Sequence, residues 1–362
     1  MTGAVSDPDA DAGTDPRAIL ASLFRGQAGW CQRLGSPIYS YLLERAAEDL
    51  ETGGPVWRAV EPYLDRPYNF THHLRLLGAT HRLALTGEAP ALAAHYPTTG
   101  GDGDAEAAWR ALVELLDERV ISLDRPVQTN EVGRSAALLG GFLTVADQTG
   151  LALRVLEIGA SAGLNLRWDR YRYEADDWAF GDSASPARIP CEYTGGRPPL
   201  PQAVWVVERA GCDPAPIDPT TEEGSLTLES FIWPEQLARL ELLRSAIEVA
   251  HRTPVTVDQA GAADWLAERL GRDRAGAATV VFHSIMWGYM TDDERARVAQ
   301  TLTDAGERAT TTEPLAWLRM EPGADETDVT LTTWPGGDER VLAAAGYHGR
   351  PVRWLSRSGR AP

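Results

Sequence analysis

The pattern of apolar and polar positions changes once along this chain of 362 residues, close to residue 150. Before that point apolar residues recur at helical spacing, as Ile19, Leu20, Leu23 and Phe24 do on one face of a predicted helix. The same periodicity predicts helices over 39–50, 72–85, 109–120 and 131–148, and no strands. We therefore predict a helical N-terminal region over 16–150, preceded by an acidic, disordered tail over 1–15.

After residue 150 short apolar runs alternate with helical stretches, which is typical of a parallel sheet flanked by helices. The runs lie at 153–158, 204–207, 254–257, 279–283 and 315–320, with a final pair at 329–333 and 352–355. The helical stretches cover 163–172, 234–251, 262–270 and 292–305. The pattern predicts the α/β fold class, with a Rossmann-like doubly wound sheet over 151–362. A proline-rich insertion at about 174–203 interrupts it, and residues 171–174 and 178–180 predict a hairpin there.

Composition narrows the classes of partner. The net charge is −18 and all 34 basic residues are Arg, so the overall field opposes a nucleic acid and favours a small-molecule or protein substrate. We expect no membrane span, because no run of about 18 apolar residues exists, and the N-terminus lacks the regions of a signal peptide. The cysteines, Cys31, Cys191 and Cys212, are far apart and predict reduced thiols, a cytoplasmic location and no metal site.

The most informative motif is an apolar strand that enters a glycine turn, Leu-Arg-Val-Leu-Glu-Ile-Gly-Ala-Ser-Ala-Gly at 153–163. Gly159 frees the backbone where a Cβ would clash, and Ala160 and Ser161 keep the passage narrow. Gly163 admits a close helix, whose N-terminus offers N–H groups to an anion.

The acid before this turn narrows the choice of ligand. Glu157 repels a pyrophosphate but suits the sulfonium and ammonium groups of S-adenosylmethionine (SAM), whereas dinucleotide sites usually read Gly-x-Gly-x-x-Gly. The pattern Glu-x-Gly-x-x-x-Gly therefore resembles motif I of class I SAM-dependent methyltransferases. A glycine turn in any α/β protein is the alternative interpretation.

Further acids follow the second and third predicted strands. In such methyltransferases an acid just past the second strand accepts the ribose hydroxyls of SAM, and Glu208 and Asp213 are the candidates here. Past the third strand, Asp264 would accept from the adenine amine beside Trp265. The alternatives are a turn-forming role for Asp213 and a helix-capping role for Asp264.

Two polar groups are candidates for the chemistry. His283, Ser284 and Trp287 follow the fourth predicted strand, whose carboxyl end faces the ligand crevice of doubly wound folds. His283 is a candidate general base, or alternatively a hydrogen-bonded pocket histidine. Upstream of the glycine turn, a dense polar cluster predicts a catalytic Glu131 within a substrate pocket, or alternatively a helix cap, and comprises Gln128, Asn130, Glu131 and Arg134.

A family resemblance covers nearly the whole chain after Pro16. It is carried by PVQTNEVGRSAAL at 126–138, LRVLEIGASAGLNLRWDRYRY at 153–173, GCDPAPIDP at 211–219, SFIWPE at 230–235 and VVFHSIMWGYM at 280–290. With these segments the chain resembles the bacterial proteins grouped as domain of unknown function 2332. The resemblance implies a methyltransferase-like Rossmann domain behind a helical region.

From the motif and the resemblance together we expect a SAM-dependent methyltransferase that acts on a small molecule. The alternative is a non-catalytic protein that binds SAM or a nucleotide as a sensor or partner platform. A nicotinamide oxidoreductase is disfavoured, because the Glu-x-Gly-x-x-x-Gly spacing does not suit a pyrophosphate.

Overall fold

The computed structural model describes residues 15–65, 71–272 and 276–355, and all but the last residue of the predicted acidic tail lies outside them. The described chain forms two units. A helical unit holds the residues up to Thr129 together with Thr221–Glu241, and a sheet unit holds Asn130–Thr220 and the residues from Leu242 onwards. The division therefore differs from the predicted boundary near residue 150, and one later segment of the chain returns to the helical unit.

Helices dominate the first unit, as the periodicity predicts. They are α1 (Pro16–Arg33), α2 (Pro37–Thr52), α3 (Pro55–Val60), α4 (His72–Leu85), α5 (Pro90–Ala93) and α6 (Ala105–Glu118), and, after α7 (Arg134–Thr149) of the sheet unit, α8 (Glu222–Ser230). Leu20 and Phe24 of α1 are buried, but Ile19 and Leu23 are 41% and 38% exposed. The buried stripe of α1 is thus narrower than predicted, and small residues such as Ala21 and Ala28 complete it.

A nine-stranded sheet organises the second unit and confirms the predicted Rossmann-like α/β class. Its strands include β1 (Ala152–Ile158), β5 (Tyr193–Thr194), β6 (Val206–Asp213), β7 (Thr256–Gln259), β8 (Ala277–Ser284), β9 (Leu315–Pro322), β10 (Thr327–Trp334), β11 (Asp338–Ala345) and β12 (Val352–Trp354). The order is β5-β12-β11-β10-β9-β8-β1-β6-β7, and the pairs from β9 to β7 are all parallel. The carboxyl ends of β1, β6, β7, β8 and β9 therefore share one edge of the sheet.

Helices cover both faces of this sheet. Helix α7 packs against β8 and β9, while α10 (Ala262–Leu270) and α11 (Asp292–Glu307) bury an apolar layer with β1, β6 and β8. Helix α9 (Leu237–Arg252) begins in the helical unit and continues into the sheet unit. Helix α7 belongs to the sheet unit because twelve of its residues are buried, and a Cβ at Gly140 or Gly141 would overlap Trp354 or Leu318.

The predicted helix over 163–172 is wrong. A short 3-10 helix spans Asn165–Arg170, and within it the backbone angles of Arg167, with φ −99° and ψ 15°, are not helical. Side chains take the carbonyls that an α-helix would use, since the Tyr171 hydroxyl donates to Leu164 O at 2.6 Å and Arg167 Nη1 donates to Gly163 O at 2.8 Å. The loop therefore presents no α-helix N-terminus, and the prediction that N–H groups of such a helix are offered to an anion here is wrong.

The predicted insertion contains the predicted hairpin. Strands β2 (Arg172–Glu174) and β3 (Ala179–Phe180) pair antiparallel, and β4 (Arg188–Pro190) joins β2 in a small three-stranded sheet. At the other end of the chain, β11 fills the interval between the two predicted final runs. Its buried half contains Ala343–Ala345, a sequence of low strand propensity that pairs with β10 and β12.

Candidate functional site

The loop after β1 turns sharply at the carboxyl edge of the sheet. Gly159, Ser161 and Gly163 all have positive φ angles, of 66°, 52° and 64°. Ala160 N donates to Cys212 O of β6 at 3.0 Å, and Gly163 N donates to Ala160 O at 2.7 Å. Glycine is needed at the first and third positions because its lack of a Cβ removes the strain of a left-handed backbone. The predicted glycine turn is therefore present and is tied to the neighbouring strand.

Side chains press closely against the two glycines. A Cβ at Gly159 would lie 2.9 Å from Met286 Cγ, and a Cβ at Gly163 would lie 2.9 Å from Val257 Cγ2. The space that Gly159 opens is thus taken by the segment after β8, and a ligand that approaches this glycine has to displace Met286.

Asp213, at the end of β6, is joined to the same loop. Its Oδ2 accepts from Ser161 N at 2.9 Å, and its Oδ1 accepts from Ala215 N at 2.9 Å. A carboxylate has about four acceptor positions, so each oxygen can accept a further hydrogen bond. The structure therefore brings Asp213 to the glycine loop and combines the turn-forming role with the position expected of a ribose ligand.

Glu157 lies inside the protein rather than at its surface. The residue is 2% exposed, and its Oε2 has no hydrogen-bond partner among the described residues. Burial raises the pKa of Glu157 well above its usual range, and the negative charge of Asp213 raises it further, against the opposing charges of Arg167 and Arg134. Burial and Asp213 thus act against ionisation of Glu157, whereas its predicted role beside a sulfonium or ammonium group needs an ionised carboxylate.

Two members of the predicted polar cluster hold the loop and the edge together. Leu164 N donates to Asn130 Oδ1 at 2.9 Å, and Gly133 N donates to Glu131 Oε1 at 3.0 Å. Arg134 Nη1 donates to Ser284 O and its Nε to Tyr347 O, both at 3.2 Å. Gln128 is buried and belongs to the helical unit. In the described contacts Asn130 and Arg134 position the loop after β1 and the end of β8, whereas the Glu131 carboxylate accepts locally at the start of α7, which agrees with the alternative of a helix cap.

His283 forms an acid–imidazole pair that the sequence did not reveal. It is fully buried, and its Nδ1 lies 2.6 Å from Oε1 of Glu321 on β9. Glu321 also accepts from Met286 N at 3.1 Å and from Trp287 N at 3.4 Å. The carboxylate thus orients the imidazole through Nδ1, and the neutral tautomer that donates from Nδ1 to Glu321 has Nε2 as its acceptor atom. Nε2 has no partner in the described part of the chain.

Aromatic rings enclose this imidazole. Trp287 stacks on it with ring centroids 5.1 Å apart and planes 11° apart, and the Trp317 ring lies 6.0 Å away. Trp317 Nε1 and Arg319 Nε are also buried without a described partner. β8 and β9 therefore carry three buried polar atoms that a bound polar group could satisfy.

The two parts of the site face opposite sides of the sheet. Glu157 pairs in register with Phe282, so these two side chains point to the same face of the sheet. His283 is the next residue after Phe282 on β8, so its side chain points to the opposite face. The segment after β8 links the two parts, because Met286 lies against Gly159 while Trp287 covers His283. Ile285, at its start, has a φ of 49°, a strained value for a β-branched residue.

The remaining predicted acids lie away from this loop. Glu208 lies five residues before the end of β6 and pairs with Arg154 at 2.7 Å and Arg269 at 3.7 Å. Asp264 has an 83% exposed side chain that pairs with Arg297 of α11. Glu208 and Asp264 are therefore both engaged in salt bridges with arginines. Of the two ribose candidates, Asp213 is better placed than Glu208.

Glu321, Met286 and Arg167 are site residues that sequence reasoning missed. Glu321 carried one usable signal, since it ends the fifth parallel strand and therefore reaches the same edge as Asp213 and Ser284. Arg167 was hidden inside a stretch that was predicted to be a regular helix. Met286 carried no signal, because its importance depends on its contact with Gly159.

Other features of the described chain add little to the site. A cavity of about 540 Å³ in the helical unit has four arginines in its wall, but Arg82 and Arg125 share Glu223, Arg119 pairs with Glu88 and Arg75 donates to backbone carbonyls. Across residues 15–65, 71–272 and 276–355 no group of three or more His, Cys, Asp or Glu residues could hold a metal ion. No helix within these residues is both long and apolar enough to cross a membrane.

Comparison with known proteins gives one match. Residues 21–354 match the family described as "Uncharacterized protein conserved in bacteria (DUF2332)". No curated protein and no solved structure matches the chain.

Proposed function

This chain belongs to the DUF2332 family of bacterial proteins, and we propose that its sheet unit is a SAM-dependent methyltransferase for a small molecule. The observation that carries the proposal is that one sheet edge holds a glycine loop, two acids and, on the opposite face of the sheet, an imidazole. Gly159 lies in the loop, Glu157 and Asp213 lie near the ends of β1 and β6, and His283 is the last residue but one of the neighbouring β8. Ligands of doubly wound sheets bind at this edge.

The residues at the loop fit the functional groups of SAM. Glu157 has an unused carboxyl oxygen for an ammonium or sulfonium group, and Asp213 has acceptor positions left for two ribose hydroxyls. When bound, SAM supplies an electrophilic methyl group. In this proposal Glu157 and Asp213 bind and orient, while Asn130 and Arg134 keep the loop and the end of β8 in position.

His283 is the residue that would accept a proton in the reaction. SAM would supply the methyl group to an acceptor O–H, N–H or S–H group and would leave as S-adenosylhomocysteine. His283 Nε2 would take the acceptor's proton and pass it to solvent. Glu321 stabilises the imidazolium through Nδ1.

One observation favours the alternative, a SAM-binding sensor without catalysis. His283 is 0% exposed under Trp287, so a substrate reaches Nε2 only after the segment at 285–290 moves. A sensor would use such a movement as its signal, whereas an enzyme would use it to admit the acceptor.

Calorimetric titration with SAM, S-adenosylhomocysteine and NAD tests the binding step. We expect heat from the first two ligands and none from NAD. Asp213→Ala should weaken SAM binding by about ten- to a hundredfold, because a charged hydrogen bond contributes about 1.5–3 kcal/mol. Asp304→Ala, on the exposed side of α11, is the matched control. Tight NAD binding without SAM binding would refute the proposal.

A screen for methyl transfer from radiolabelled SAM to pooled metabolites then separates enzyme from sensor. We expect turnover that His283→Gln removes while SAM affinity stays within a few-fold, since His283 lies on the other face of the sheet from Glu157. Binding of SAM with no turnover on any pool favours the sensor.

A further inference from the structure

The carboxyl group of Glu157 is buried just before the glycine loop. Its Oε2 is one of the few buried side-chain oxygens without a partner in the described chain. An ionised carboxylate left in this state would be costly, because no described hydrogen bond replaces the hydration that Oε2 loses. A protonated acid needs far less compensation and is therefore compatible with the observed surroundings.

Charged groups face Glu157 from three elements. Asp213 on β6 carries a negative charge, and Arg167 of the 3-10 helix and Arg134 of α7 carry positive charges. Both arginines already donate to backbone carbonyls, Arg167 to Thr253 O at 2.8 Å and to Gly163 O, and Arg134 to Ser284 O. Tyr171 and Cys212 are buried neutral neighbours, since burial raises the pKa of each.

We propose, resting on the proposed SAM site, that Glu157 is protonated in the free protein and releases its proton when a cationic ligand binds. The step is balanced: the neutral acid and the cation form a carboxylate–cation pair, and one proton passes to the solvent. The site therefore selects a ligand with an ammonium or sulfonium group at this position. A neutral analogue gains no such pair and leaves Glu157 protonated.

A proton linkage of this kind makes ligand affinity depend on pH. Burial and Asp213 raise the pKa of Glu157 well above its usual range. Below that pKa the ligand competes with a proton, so affinity should rise about tenfold for each pH unit up to the pKa and then level off. A carboxylate already ionised in the free protein would instead give an affinity that is independent of pH in the neutral range.

The same linkage changes the stability of the free protein. A carboxyl group whose pKa is raised by folding binds its proton more tightly in the folded chain than in the unfolded chain. Stability is therefore lost as the pH rises from the unfolded pKa towards the folded one. Glu157→Gln removes this loss, so the variant should gain stability relative to the wild type as the pH rises from 5 to 8.

Calorimetry of SAM binding at pH 7.5 in phosphate and in Tris measures the released proton. The two buffers differ in ionisation enthalpy, so proton release appears as a difference in observed heat. We expect proton release on SAM binding with the wild type and with Glu248→Gln, an exposed control on α9. Glu157→Gln should release none and should bind SAM at least tenfold more weakly.

The outcomes separate the inference from the proposed function. SAM binding by the wild type without proton release would overturn the inference and leave the proposed function standing. Absence of SAM binding would overturn the proposed function, and urea unfolding from pH 5 to 8 would still test Glu157. If Glu157→Gln and the wild type then show parallel pH profiles, the acid is ionised in the folded protein and the inference is wrong.

Discussion

Removal of the Glu321 carboxylate should release the segment that covers His283. This carboxylate accepts from His283 Nδ1 at 2.6 Å and from Met286 N at 3.1 Å, and the contact with Trp287 N at 3.4 Å is longer. Glu321→Ala leaves two donors without a partner in a site where the histidine is fully buried. An unsatisfied buried donor costs about 1–3 kcal/mol. Because some water reaches the 18% exposed glutamate side chain, the variant's free energy of unfolding should fall by about 2–4 kcal/mol for the two donors together.

Hydrogen–deuterium exchange of peptides that span 285–290 measures this loss locally. A loss of about 2 kcal/mol corresponds to roughly 30-fold faster exchange where the segment opens locally. Glu321→Gln keeps an acceptor oxygen and should change exchange only a few-fold.

Glu339→Ala is the matched control, because this 58% exposed acid pairs with Arg319 at the surface and should contribute no more than about 1 kcal/mol. Equal exchange at 285–290 in Glu321→Ala and Glu339→Ala would refute the claim that Glu321 holds the segment closed.

Two further predictions concern stability. Burial lowers the pKa of His81 from 6.5 to about 4, so the helical unit should lose about 1.4 kcal/mol per pH unit as the pH falls from about 6.5 to about 4. Urea unfolding at several pH values should show a flatter profile for His81→Asn, and an unchanged slope would contradict the assignment. Gly141→Ala should destabilise the sheet unit by about 1–3 kcal/mol because its Cβ would overlap Leu318. Gly26→Ala, with open space around it, should instead stabilise α1 by up to about 1 kcal/mol, and thermal unfolding of both variants compares the two signs.

Most parallel strands and most helices could be predicted because their apolar patterns agree with how they pack, whereas β6 lies mostly beyond the run predicted at 204–207 because its later half holds few large apolar residues. Helix α4 has its predicted bounds, and β1, β8 and β9 lie within two residues of the predicted runs. The helix after Gly163 could not be excluded from the sequence. Its failure depends on Tyr171 and Arg167 reaching back to carbonyls, which periodicity does not register.

The site shows the same division between local and long-range information. The glycine loop and Asp213 were predictable because each follows a recognisable strand. The raised pKa of Glu157 could not be predicted, because it depends on burial in the folded chain and on the nearby charge of Asp213. The pairing of His283 with Glu321 joins residues 38 positions apart and follows from the adjacency of β8 and β9, which a single sequence does not reveal.

The return of residues 221–241 to the helical unit has a consequence for synthesis of the chain. These residues supply Glu235, which accepts from Ser36 Oγ at 2.7 Å and Ile38 N at 2.5 Å, and Phe231, which lies against Gly78. When a ribosome has synthesised only residues 1–129, the helical unit is therefore incomplete, because the partners of Ser36 and Gly78 have not yet been made. At about 5–20 residues per second, the helical unit waits several seconds while β1 and β6 emerge. The order of synthesis thus differs from the order of assembly, and the first helices cannot finish folding until the middle of the chain has been made.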